Sequence, residues 1–145
     1  MRPSRSSPRC ACVVIPFLAL LIVAVPSAAF AQSNATRMDT IARGRSIFVA
    51  TCRSCHSIAP PPQAAPPMSV IARRYLAVGG SRAAAAARIA EWLAGPAAEK
   101  SILSKAEVAR FGVMPHQPLA DAGRFSVAAY VLTLADSARR GPRRR

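Results

Sequence analysis

The sequence predicts an all-α fold of about four to five helices. Three observations carry this: apolar residues recur at helical spacing, capping residues and Gly or Pro breakers punctuate the chain at helix-length intervals, and no segment alternates as a half-buried strand would. Gln32–Arg37 has no apolar pattern and reads as a loose leader. From about Asp39 to Cys55, the residues Ile41, Gly44, Phe48 and Cys52 fall on one stripe of a first helix. Pro60, Pro61 and Pro62 then forbid regular structure. A short helix over Ser69–Val78 stops at Gly79-Gly80, and Ser81 can cap a longer one that runs to Ala94 before Gly95-Pro96. Ser104 with Glu107 has the spacing of a capping box for another short helix. Asp121 is the expected cap of the last helix, which should turn Phe125, Ala128, Ala129 and Leu132 inward and end at Gly141-Pro142.

The chain of 145 residues has room for one small domain, because its start reads as a targeting segment. Arg2, Arg5 and Arg9 precede an apolar run over Ala11–Val25, and Ala29-Phe30-Ala31 has the small residues of a cleavage site. Interrupted by Pro16 and closed by Pro26, the run falls short of the roughly 20 residues that span a bilayer. Residues 1–31 are therefore expected to be a signal peptide cleaved after Ala31, with retention as a membrane anchor the alternative. Cys10 and Cys12 lie at the start of the run, the wrong end for a lipid anchor.

The net charge of +14 points to anionic partners. Residues 139–145 concentrate it in Arg139, Arg140, Arg143, Arg144 and Arg145, a basic tail apart from the domain over 32–138. Such a block is a solvated end, or meets anionic lipid or an acidic protein. No nucleic-acid-binding motif accompanies it, and no nucleic-acid partner is expected.

Beyond the signal only two cysteines remain, in Cys52-Arg53-Ser54-Cys55-His56. A disulfide enclosing so short a loop cannot staple a domain, so the pair serves local chemistry. Cys-x-x-Cys-His is the attachment signature of c-type haem. On one helical turn the two cysteines reach the vinyl edge as thioethers, and His56 projects over the ring to ligate iron. A thioredoxin-like pair would need an adjoining βαβ pattern, which is missing. A zinc site needs about four ligands, and residues 32–145 offer only Cys52, Cys55, His56 and His116. An export signal beside the motif favours haem, because attachment takes place in the compartment to which the signal leads.

Met114 is the favoured second axial ligand. It stands in Val113-Met114-Pro115-His116-Gln117-Pro118, a proline-stiffened loop far along the chain from His56. Met38 precedes the cysteines, and Met68 is expected to pack against the haem edge or core. His116 is the rival. A thioether ligand raises the reduction potential and closes the iron to other molecules. Cys52, Cys55, His56 and Met114 are thus expected to converge on one apolar pocket, with the cysteines as a close pair or an adventitious disulfide.

These residues make the chain resemble the small soluble bacterial c-type cytochromes of class I. The matching positions are Gly44 with Phe48, the haem motif, Pro66-Pro67-Met68, Val113-Met114-Pro115, and Ala128-Ala129-Tyr130-Val131-Leu132-Thr133-Leu134, spanning about Asp39 to Ala135. The resemblance implies a cytochrome c-like fold enclosing one covalently bound haem c, whose iron is held by His56 and Met114. It also implies that Gly44 lets the first and last helices cross closely, and that the Pro66 carbonyl accepts from the outer nitrogen of His56. The proline-rich Ala59–Pro67 stretch and the polyalanine Ala83–Ala87 depart from the pattern and leave the propionate contacts open, with Arg73, Arg74, Tyr75 and Trp92 as candidates.

The function so implied is a periplasmic carrier of single electrons between a donor and an acceptor protein, docking by basic charge on acidic partners, and not an enzyme. Two alternatives stay open: a haem subunit of an oxidoreductase complex, and a sensor or peroxidase-like protein with an open distal position. Membrane association through the basic tail or an uncleaved signal is compatible with each.

Overall fold

The computed structural model describes residues 26–136. The apolar run and Arg-bearing start of the expected signal peptide, and the basic tail, lie outside the described residues. The fold is all-α: α1 (Pro26–Ile47), α2 (Met68–Gly79), α3 (Arg82–Ala94), α4 (Lys105–Phe111) and α5 (Asp121–Thr133), with no strand among the described residues. No helix among them is long and apolar enough to cross a membrane. The chain divides into two units, the second beginning at Thr36 and holding the packed core.

The first helix corrects the expected loose leader, since Gln32–Arg37 is helical within α1. No Gly or Pro interrupts that stretch, and Thr40 Oγ1 donates back to the Thr36 carbonyl at 2.8 Å. At its other end α1 widens into a π-helical turn over Phe48–Cys52, which ends on the first cysteine of the motif. Such turns insert locally into helices and often sit at functional sites.

Gly44 is where α1 meets α5. A Cβ there would lie 1.9 Å from the Ser126 carbonyl oxygen, so only glycine permits the crossing. Phe48, fully buried one turn on, meets Tyr130 of α5 with ring centroids 5.4 Å apart.

The next two helices start and stop on the expected residues. Gly80 closes α2 with φ +68°, and Ser81 Oγ accepts from the Ala84 N–H at 3.1 Å to cap α3. Small residues let α2 and α3 approach: Ala72 and Ala85 are fully buried. Polyalanine here is packing surface on its Ala85 side and exposed at Ala83, Ala84 and Ala87. Gly95 ends α3.

The expectations for α5 need correction. Ala120, not Asp121, is the cap, and Asp121 is the first helical residue, where it pairs with Arg124. Phe125 is exposed, whereas Val127, Ala128, Val131 and Leu132 face the core. The inward stripe is displaced because Gly44 docks at Ser126, which puts the neighbouring Phe125 on the outer side. Regular helix ends at Thr133 in a 3₁₀ turn over Leu134–Asp136, short of Gly141-Pro142.

The capping box on α4 is present in full. The Glu107 N–H donates to Ser104 Oγ at 3.3 Å, and the Ser104 N–H donates back to Glu107 Oε2 at 2.9 Å. The same carboxylate receives both arms of the Arg74 guanidinium from α2, at 2.6 and 2.8 Å. Arg74 first, then the Ser104 N–H and hydroxyl, hold the Glu107 carboxyl down at about 2. A folded-state value below the ordinary 4.5 means that its stabilisation is present above that pH and is lost as pH falls from there to about 2. Glu107→Gln is therefore expected to flatten the loss of stability on acidification across this window, measured as denaturation midpoints against pH. Parallel pH profiles for the two proteins would overturn that assignment.

Candidate haem site

The site begins where α1 ends. Past the π turn the chain makes a tight helical turn, in which the N–H groups of Cys55 and His56 donate to the Cys52 carbonyl at 3.2 and 3.0 Å. Both thiols are free, with Cys52 half-buried and Cys55 exposed. The two stand on one turn and form no disulfide. Burial, then the proximity of Cys55, raises the Cys52 thiol above its ordinary value, so it stays protonated at neutral pH.

From His56 the chain makes an excursion through the prolines and returns. The Ala65 N–H donates to the Cys55 carbonyl at 3.0 Å, and Met68 and Ser69 N–H groups donate to Ser57 and Ile58 at 2.9 Å each. This stitching brings the Pro66 carbonyl to 2.8 Å from His56 Nδ1. A carbonyl can only accept, so Nδ1 carries the proton. Burial lowers the imidazole's affinity for a second proton, against a smaller opposing effect of the Pro66 contact. The ring is thus neutral at neutral pH, and its Nε2 keeps a lone pair for a metal.

A cavity of about 340 Å³ opens between these residues and the core. It falls within the ~300–1,000 Å³ range of small-molecule and cofactor sites. Cys52, Cys55, His56 and Met114 all line it, with Phe48, Leu93, Val127 and Val131 from the helices. Met114 is half-buried and packs against the core, in the irregular chain that follows Gly112, whose φ of +75° ends α4. The other sulfur and imidazole candidates are placed differently. Met68 is buried and also lines the cavity, His116 is exposed away from the lining, and Met38 is 64% exposed.

Two of the propionate candidates are committed elsewhere. Arg74 pairs with Glu107, and Arg73 Nη1 donates to the Ala135 carbonyl at 3.4 Å. In a helix, adjacent residues point in different directions, and both of these arginines serve as ties from α2. Tyr75 and Trp92 do line the cavity, and both extend into an adjoining polar recess with Arg88, Glu91, Lys100 and Ser101. Burial, and to a lesser degree Glu91, pushes the Tyr75 phenol up to about 12 against the opposing Arg88, so it remains a hydrogen-bond donor.

Arg88 and Lys100 carry no motif, and sequence reasoning passed over them. It also passed over Ser101-Ile102-Leu103, which lines the cavity between α3 and α4. The one available signal was the apolar Ile102-Leu103 pair in a stretch without helical period, which needs something to cover. Among the described residues no three His, Cys, Asp or Glu side chains are grouped to hold a metal ion by themselves.

Comparison of the chain with protein-family models, with curated proteins and with solved structures finds no match.

Proposed function

We propose that the chain is a monohaem c-type cytochrome that carries single electrons between proteins outside the cytoplasm. One observation carries the reading: the two cysteines and the histidine of a Cys-x-x-Cys-His turn line the same apolar cavity as Met114. Cys52 and Cys55 would hold the haem covalently, and His56 and Met114 would ligate its iron. Bound there, haem supplies reversible one-electron chemistry at iron. The chain's own contribution is to fix the His56 tautomer through Pro66, exclude water with apolar walls, and offer a thioether that raises the potential. Toward the haem carboxylates, Tyr75 and Trp92 would keep the part expected of them, and Arg88 and Lys100 of the polar recess, which also holds Glu91, would take the place of Arg73 and Arg74.

A thiol–zinc reading is less well supported, because no further donor joins Cys52, Cys55 and His56 among the described residues. Exposed Arg53 lies between the two cysteines, with Arg45 on the preceding helix, which suits docking on an acidic partner.

The test is an absorption spectrum of oxidised and reduced protein made with haem-attachment machinery, repeated under carbon monoxide. The expected result is covalent low-spin haem with a sulfur-to-iron charge-transfer band and no response to carbon monoxide. Met114→Ala is expected to remove that band and lower the potential on the order of 100 mV, within the ~0.8 V that axial ligands span. A high-spin haem that captures carbon monoxide would instead favour the sensor or peroxidase-like role.

A further inference from the structure

The helix that leads into the Met114 loop has almost nothing of its own to hold it. No residue of α4 is buried, and only Val108 and Phe111 among its apolar side chains are half-buried. A seven-residue helix is also too short to persist by hydrogen bonding alone. Yet Met114 follows the end of α4 by three residues, across Gly112 and Val113, so the placement of α4 decides where the thioether lies.

Besides Val108 and Phe111, the latter on the cavity wall, what ties α4 down is a single carboxylate. Glu107 caps the first turn of its own helix through Ser104 and receives a two-pronged guanidinium contact from Arg74 of α2. Planar, two-point pairing fixes direction as well as distance, which one lysine contact would not. The other end of this tie is anchored independently: Tyr75, next to Arg74, and Ala72 are buried in the core, and neighbouring Arg73 reaches the Ala135 carbonyl.

We infer that the Arg74–Glu107 pair is a strut that sets the Met114 loop against the cavity, making both positioning residues for the distal ligand. The inference rests on the reading of Met114 as an iron ligand. It assigns Arg74 a part different from meeting a propionate.

The experiment uses the haem-loaded full chain. Arg74→Gln removes the strut and leaves Glu107 free to cap α4, whereas Ser104→Ala weakens the cap and leaves the strut. Arg74→Lys, which keeps the charge but not the fork, serves as a milder second variant. The readouts are the charge-transfer band of the oxidised protein and the rate at which imidazole displaces the sixth ligand, with thermal unfolding measured alongside.

Arg74→Gln is expected to weaken the band and speed imidazole binding by about fivefold, the upper scale of an exposed ion pair, with Arg74→Lys between it and the parent. Ser104→Ala is expected to lower the unfolding temperature without moving either readout. If Arg74→Gln leaves band and rate unchanged, or changes them only as Ser104→Ala does at equal loss of stability, the strut is overturned. If the parent protein shows no Met114-dependent band, the ligand reading fails first and the strut with it.

Discussion

Replacing both Cys52 and Cys55 with serine is expected to abolish retention of haem through acid extraction, the largest effect of any change in the molecule. The two thiols are free and line the cavity, and serine offers no sulfur for a thioether. His56, held by Pro66, would remain as a lone iron ligand on that side and could not keep the cofactor through denaturation. Each single variant should retain one attachment and a reduced, shifted haem content. The measurement is haem remaining on the polypeptide after denaturing electrophoresis. Full retention in the double variant would mean that the motif is incidental. No haem on the parent protein, made in a host with attachment machinery, would leave the pair with thiol chemistry only.

The second large effect is structural. Gly44→Ala is expected to destabilise the domain by ~3 kcal/mol or more, the upper end of overpacking costs, since the added Cβ meets backbone that cannot swing aside. It would lie 1.9 Å from the Ser126 oxygen, 2.4 Å from its carbon and 3.0 Å from Tyr130 Cβ. For a domain of this size that is a fall of roughly 10 °C or more in unfolding temperature. The same wedge would part Phe48 from Tyr130, and Phe48 both fills the core and lines the cavity, so a loosened haem environment should accompany it. Thermal unfolding followed in the haem band and in the far ultraviolet checks both. Unchanged stability would show that α1 and α5 do not cross at this glycine.

The parts of the fold legible in the sequence are those decided locally. Ser81 and the Ser104–Glu107 box cap their helices through side chains three residues away, and Gly80 ends α2 by its own left-handed turn, so a short window carries the whole signal. The motif was legible for the same reason. Phe125 departs from expectation because its direction depends on where α1 lands on α5, a contact from far along the chain, whereas Asp121 departs by a shift of one residue at the helix start, where it pairs with Arg124 instead of capping. Arg73 and Arg74 show a further limit. A cation near an aromatic pair suits an anionic group in sequence, but Ala135 and Glu107, distant partners, claim them in space. The convergence of Met114 with the motif was expected, yet the support under it was not. Glu107 read only as half of a cap, and nothing local tells that one carboxylate also receives an arginine from another helix.

The excursion from His56 to Pro66 separates two demands that usually conflict. Its ends are joined by the pairing of Ala65 with Cys55 and of Met68 with Ser57, whereas residues 60–64 are exposed and Ser57 Oγ meets Pro61 across the base. Chain added or removed at the exposed tip costs little closure entropy and need not move the carbonyl that faces His56. Length at this place can therefore change while the histidine's partner stays put, so the geometry at His56 is set by the joined ends of the excursion and not by its proline-rich tip.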